Sequence, residues 1–436
     1  MGEMSDLRSV VRGTVLLAGD DGFDDARRPW NLAIEQPVLA VVEAADADDV
    51  SALVRYARSI GVAVSAQPSG HGASGNTDGV ILLRTRRLDE VVVDAAARTA
   101  RVGAGVASRA VQTAATAHGL TGMPGSSPVV SVTGYTLGGG LGWFARKYGW
   151  AADHVTAFEI VDAEGNQSRV TADADPDLFW ALRGGGGDIA LVTAIEYGLH
   201  HEPDLFGGRM VWPAERAPEV LAAFRAVTAD APQELTLWAD LFQFPGSSPI
   251  VSVDVTYLGG EADARALLTP LDGVDGLLSD SRAVLPMIEL GSITADPTDP
   301  GPGSSRAELL TDLDDLTVKA LLAEPIAPLL AVQIRHLGGA LAQASDSPHG
   351  AVREPYLVYL FGLPITQEAA AGITAKQQAV VDSLGGAVSG RKPLTFLNPA
   401  ESAAAAFAPE ALARLRQIKA DRDPHGVIRG NFPVNG

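Results

Sequence analysis

The chain has 436 residues, 46% hydrophobic and 20% charged, a composition that excludes wholesale disorder and suits two buried cores. Its 33 basic against 53 acidic residues leave a net charge of −20, which repels phosphate backbones and anionic lipid, so nucleic-acid and membrane partners are not expected. It has no cysteine, which removes disulfides, thiolate nucleophiles, iron–sulfur clusters and thiolate-zinc sites.

The stretch before Trp30 is broken by Asp20, Asp21, Asp24 and Asp25, so no secretory leader is read there. No run of about 18 apolar residues occurs. The expectation is a soluble cytoplasmic protein, a monomer or homo-oligomer. Residues 46–61 predict a helix, with an acidic start, Val50, Leu53, Val54 and Ala57 at helical spacing, and Gly61 as its stop. Residues 62–66 predict a strand. A glycine-rich turn follows, Gln67-Pro68-Ser69-Gly70-His71-Gly72-Ala73-Ser74-Gly75-Asn76, and residues 80–83 resume as a strand. Residues 91–94 and 99–102 predict a hairpin, and residues 107–118 a helix closed by Gly119.

A second glycine-rich segment spans residues 134–142, and a third, Gly184-Gly185-Gly186-Gly187, precedes a strand at 191–197. After His201 the texture changes. Strands predicted at 235–244, 250–257, 329–335 and 356–361 alternate with alanine-rich helical runs. A Pro-, Gly-, Asp- and Ser-rich loop at 296–305 has the composition of a mobile cover over a site. A helix at 409–420 stops at Asp423-Pro424, and a short tail follows at 427–433.

Several chemistries lack their motifs. There is no G-x-x-x-x-G-K-[ST], no H-E-x-x-H, no G-x-S-x-G and no histidine pair at i, i+4, so no metal site is expected. Residues 70–75 match G-x-G-x-x-G, and Asp94 follows at a Rossmann-like distance. However, Asn76-Thr77-Asp78-Gly79 leads into a strand where that fingerprint requires a helix. A single glycine cluster means a tight turn. Three of them favour close approach of backbone to a large ligand.

Four stretches together carry a family resemblance that extends from Trp30 to Phe432. They are Ser69-Gly70-His71-Gly72; Thr133 to Trp143 with Arg146-Lys147-Tyr148-Gly149; Asp175-Pro176-Asp177 through Gly187; and Arg422-Asp423-Pro424. The chain resembles the berberine-bridge-enzyme-like group of the vanillyl-alcohol-oxidase flavoproteins, whose FAD domain is called the PCMH type. The resemblance implies an α+β fold: a PCMH-type FAD-binding domain of two α/β subdomains, plus a substrate domain whose antiparallel sheet is covered by helices. It implies domains at 1–201 (FAD-binding), 202–394 (substrate) and 395–436 (return to the FAD domain).

It also implies an FAD-dependent oxidase that takes hydride from an alcohol, amine or polyketide-type metabolite, with dioxygen reoxidising the flavin to give hydrogen peroxide. The alternatives are a flavin-dependent oxygenase, a dehydrogenase using another acceptor, and a flavin-containing binding protein without turnover.

Position by position, His71 matches the histidine bonded to the flavin 8α-methyl, and a neutral imidazole lone pair can form that bond. Ser127, in Gly125-Ser126-Ser127-Pro128, replaces the cysteine that makes a second attachment in many members, so single-point attachment is expected. Val130 matches a residue that gates oxygen access, and Tyr135 one beside the flavin N1–C2=O edge. Ser69, Gly70, Gly72 and Ala73 with Thr133, Gly134, Gly138, Gly139, Gly140, Gly142 and Trp143 are expected to cradle the cofactor. Val192 matches a main-chain contact to the pyrimidine edge, and Asn431 the tail asparagine that returns to the flavin. Asp188 stands where asparagine is usual.

On the substrate side, strand alternation puts Trp238, Asp240 and Phe242 on one face and Gln333 with Arg335 on one face. Tyr359, Asp240 and His336 are the candidate bases. Phe396-Leu397-Asn398 resembles the family's Tyr-x-Asn with phenylalanine in the tyrosine's place.

Overall fold

The computed structural model describes Met4 and residues 6–436. The first regular unit follows its local signals. The Asp46 carboxylate caps helix Ala47–Ser59 by accepting the amides of Asp48 and Asp49, and Gly61 leaves it at φ 68°. Val50, Leu53, Val54 and Ala57 are buried against a four-stranded sheet in the order Thr14–Leu17, Ala40–Glu43, Val80–Arg84, Ala63–Ala66. The last three strands run parallel.

A second sheet is antiparallel throughout, in the order Val91–Asp94, Thr99–Gly103, Leu191–Gly198, Val155–Val161, Gln167–Val170. The glycine-rich segment holds a short helix, Val132–Leu137, which the glycines had hidden in the sequence.

The third sheet is the largest: among the described residues it has eight strands, all antiparallel. Its central order is Leu205–Pro213, Ile250–Leu258, Leu235–Phe242, Ala331–His336, Tyr356–Gly362, Ser304–Leu310. Two of these strands lie where none was expected. Leu205–Pro213 contains Gly207-Gly208, which looks like a break. A Cβ on Gly207 would stand 2.8 Å from Val255 O and from Ile293, so the pair marks close packing inside a strand. Ser304–Leu310 begins within the run expected to be a mobile loop, and forms the edge strand beside Tyr356–Gly362.

That sheet has two unlike faces. Leu235, Leu237, Ala239, Leu241, Val253, Val332, Ile334 and Val358 pack under helices including Ala217–Ala229 and Gln367–Leu384. The other face carries Trp238, Asp240, Ser252, Asp254 and Thr256, which are equally buried because the first half of the chain lies over them. Arg146, from the Arg-Lys-Tyr-Gly stretch, staples the halves together. It donates to the carbonyls of Leu235 (2.7 Å), Ala231 (3.1 Å), Pro232 (3.2 Å) and Leu337.

The chain end returns to the first half. Ile428 bridges to Val64 in parallel, and the Arg429 amide donates to the Val64 carbonyl at 2.9 Å. Among the described residues no helix is long and apolar enough to cross a membrane.

Candidate active site

The turn at 67–75 is shaped by glycines with positive φ. Gly70 (83°) would bring a Cβ within 2.8 Å of Pro29 Cβ, so only glycine fits there. The turn holds His71 with its ring stacked on Trp30, 4.2 Å between centroids and 16° from parallel. His71 Nδ1 is 2.8 Å from the Ser69 hydroxyl, while Nε2 is buried and has no partner. Burial pulls the imidazole pKa down to about 4, so the ring is neutral at physiological pH. With its proton on Nδ1, Nε2 presents an unshared lone pair.

The amides of Ser69, Gly70, His71 and Gly72 meet no acceptor among the described residues. Trp30, which orients the imidazole, carries no signal in the sequence beyond being an aromatic near a turn.

The tail closes this turn. Asn431 Nδ2 donates to the Gly72 carbonyl at 2.6 Å, and its Oδ1 accepts the Ser74 amide at 2.9 Å. Asp188, unexplained in the sequence, anchors the tail by accepting the amides of Gly430 (2.7 Å) and Val434 (3.1 Å). Lys419 lies buried beneath them, donating to the carbonyls of Asp188 (2.5 Å) and Ile428 (2.6 Å) and to the Asp423 carboxylate (2.7 Å). Asp423 in turn accepts the amides of Val427 and Ile428. The Asp-Pro stretch therefore fixes the path that delivers Asn431.

The glycines expected to cradle a ligand divide on inspection. A Cβ on Gly139 would lie 2.8 Å from the His349 ring, one on Gly140 2.5 Å from Ala151 Cβ, and one on Gly142 2.2 Å from the Pro124 carbonyl. Gly184 meets the same His349 at 2.8 Å, and Gly185 meets the Ala181 carbonyl at 2.3 Å. These two clusters clasp His349 and neighbouring backbone, so close protein packing by itself accounts for the missing side chains. The Cβ directions at Gly72 and Gly134 are free of such close contacts.

Four further polar atoms, on the stretch 127–143, are buried and unpartnered: Ser127 Oγ, Thr133 Oγ1, Tyr135 OH and Trp143 Nε1. Burial raises the Tyr135 pKa and keeps it a neutral phenol. Val130, part-buried, follows the Ser127 loop and accepts the Ser108 amide at 2.9 Å. Val192 is buried at a bulge between two strands.

Trp143 stacks on Trp238 of the large sheet at 3.6 Å and 12°, joining this stretch to the polar face. Cross-strand register then lines up two rows. Tyr359, Gln333, Asp240 and Ser252 lie opposite one another across four strands. Arg335, Trp238, Asp254 and Arg209 form the adjacent row. Gln333 donates to Asp240 Oδ1 at 2.8 Å, whereas Asp240 Oδ2 is buried without a partner. Burial, then the neighbouring Asp254, pushes the Asp240 pKa well above the carboxylate range. Arg209 holds Asp254 through a two-pronged contact at 2.5 and 2.7 Å.

Of the three candidate bases, Asp240 and Tyr359 share this face. His336 does not. It follows the parity of Val332 and Ile334 on the helix-covered side, near Tyr356, where burial and Arg146 lower its pKa. One residue of strand offset reverses the face, which corrects its candidacy.

The Pro- and Gly-rich segment is tied down rather than loose. Gly301 bridges to Asn31, whose side chain exchanges 3.0 Å hydrogen bonds with the Gly303 backbone. The strap thus ends beside Trp30 and the His71 turn. No group of three or more His, Cys, Asp or Glu side chains placed to hold a metal occurs among the described residues.

A family model described as an FAD binding domain matches residues 38–171. (R)-6-Hydroxynicotine oxidase of Paenarthrobacter nicotinovorans is 29% identical over 98% of this chain and 97% of its own length. The crystal structure of 6-hydroxy-D-nicotine oxidase from Arthrobacter nicotinovorans superposes with a TM-score of 0.84 at 25% identity, covering 96% of each chain. Wild-type BBE-like 1 of Physcomitrella patens shares the fold at a TM-score of 0.87 and 18% identity, over 99% of this chain and 98% of its own. Fold, turn and relatives define an FAD-dependent oxidoreductase. Its fold is that of the PCMH-type, berberine-bridge-enzyme-like flavoproteins. Its residues fit the cofactor: unclaimed amides at 69–72 suit an anionic group, and the orphaned polar atoms suit a heteroatom-rich ring.

Proposed function

We propose that the chain is an oxidase that moves hydride from a small organic substrate to covalently held FAD, with dioxygen taking the electrons as hydrogen peroxide. The observation that carries this reading is His71, a neutral imidazole with a buried, unpartnered Nε2 on a turn of free amides. His71 makes the single covalent attachment, at the 8α position. Ser127 makes none, since an unactivated hydroxyl is a poor nucleophile.

Ser69, Gly70, Gly72 and Ala73 with Thr133 and Gly134 hold the cofactor, Asn431 locks the turn around it, and Tyr135 offers a hydroxyl to its polar edge. Val130 borders the path for dioxygen. Asp240 takes the substrate proton, because its raised pKa and free Oδ2 suit a base working near neutrality, and Tyr359 orients the same group. The substrate is an alcohol, an amine or a polyketide-type metabolite, in a soluble cytoplasmic enzyme.

Three hydrophobic groupings support the division at 1–201, 202–394 and 395–436. One lies wholly between Phe206 and Val388, and the other two join the first half to the chain end.

Denaturing electrophoresis of the purified protein tests the attachment. A flavin-fluorescent band is expected from the wild type, and none from His71→Ala. Fluorescence that persists in the variant sinks the attachment. Slow reaction of the photoreduced protein with dioxygen replaces the oxidase by a dehydrogenase or oxygenase.

A further inference from the structure

Most arginines buried or half-buried in this protein spend their guanidinium groups on protein oxygens. Arg84 reaches the Gln67 side chain and the carbonyls of Ala26 and Arg28. Arg146 takes four carbonyls, Arg209 takes Asp254, and Arg282 takes Asp272 and Asp280. Arg335 differs. Its Nε donates to Gln333 Oε1 at 2.6 Å, and neither Nη meets an acceptor or a carboxylate among the described residues.

The group is enclosed by rings, lying 4.0 Å from the centroid of Trp238, 5.1 Å from Phe396 and 5.6 Å from Tyr359. The acids around it do not neutralise it. Asp254 is bound by Arg209, Asp240 is tied to Gln333 and makes no ion pair with Arg335, and Asp296 acts only through space. An arginine stays charged even when burial lowers its pKa. A half-buried, ring-walled cation without a counterion attracts an anion, and the four free N–H groups on the Nη atoms match a planar, delocalised oxyanion.

We infer that the substrate carries an acidic oxygen, either a carboxylate or the ionised hydroxyl of a conjugated enol or phenol, and that Arg335 grips it between the rings. This rests on the oxidase reading of the same site and narrows its substrate class. A protonated amine is repelled, so Arg335 determines specificity against amines.

The purified protein is titrated with benzoate, 4-nitrophenolate, benzyl alcohol and benzylamine, reading the flavin absorbance and the tryptophan fluorescence of the Trp143–Trp238 stack. At least one anion binds and benzylamine does not. Preference for benzoate identifies a carboxylate, and preference for 4-nitrophenolate an enol or phenol. Arg335→Gln weakens the preferred anion by about tenfold or more and leaves benzyl alcohol unchanged. Arg335→Lys, which keeps charge but not the fork, falls between.

Benzylamine binding as tightly as either anion, or anion affinity that survives Arg335→Gln, overturns the inference. The wild-type titrations decide it even if the variants fail to fold. A colourless protein defeats the oxidase reading instead, and its tryptophan signal still reports whether the anion binds.

Discussion

The His71 turn and the polar face of the large sheet both present buried polar atoms that the protein leaves unpartnered, yet they are held in place by opposite means. At the turn, the working groups are consecutive: Ser69 to Gly72 supply the amides, His71 the imidazole, and the tail closes over them through Asn431. On the sheet, Asp240, Gln333, Arg335 and Tyr359 come from three strands and meet only through register. The contrast matches the division of labour proposed here. A cofactor shared across a family is held by short-range backbone geometry, whereas the substrate meets side chains that can change one at a time without disturbing the strands beneath.

The sharpest way to break that picture is to release the tail. Lys419→Met leaves Asp188 and Asp423 buried without their cation, and the expected loss is about 3–5 kcal/mol of stability, read by denaturant unfolding. If the first half is organised as argued, cofactor occupancy falls with it. A variant as stable as the wild type would show that the tail is decoration.

The next effect separates two kinds of glycine. Gly142→Ala drives a Cβ to 2.2 Å from the Pro124 carbonyl and 2.5 Å from the Tyr135 hydroxyl, and about 3 kcal/mol is expected to go. Gly72→Ala meets nothing within 4 Å and should stay within about 1 kcal/mol of the wild type. Equal losses would return the central glycines to ligand contact.

The same pair shows how far the sequence could be read. Ser-Gly-His-Gly and the tail were legible because what they build is local: a turn needing positive φ, a histidine within it, an asparagine at a fixed place in the tail. The glycines at 138–142 and 184–187 were visible too, but a glycine announces close approach without naming what approaches. Here it is His349, distant in sequence. Asp188 carried no meaning until the tail amides appeared beside it. His336 looked like a base because composition was weighed without parity, and the Arg335 site needed three strands in register. Ser304–Leu310 was lost inside a Pro- and Gly-rich run whose end is a strand.

The smallest expected effect tests the sheet side, through Asp240. Its folded-state pKa is raised by burial and by Asp254, so the folded protein holds a proton that the unfolded chain releases near 3.8. Stability linked to this proton is fully present below that value and is lost as pH climbs through the raised folded value. Asp240→Asn keeps the shape, cannot ionise, and escapes the loss. The variant should therefore match the wild type near pH 4 and become the more stable of the two as pH rises toward alkaline values, measured by paired denaturant titrations. It should at the same time lose turnover, because the amide cannot accept the substrate proton. A stability gap that stays flat with pH would mean that Asp240 is already ionised beside Arg209 and Arg335, and its claim to be a base poised near neutrality would pass to Tyr359.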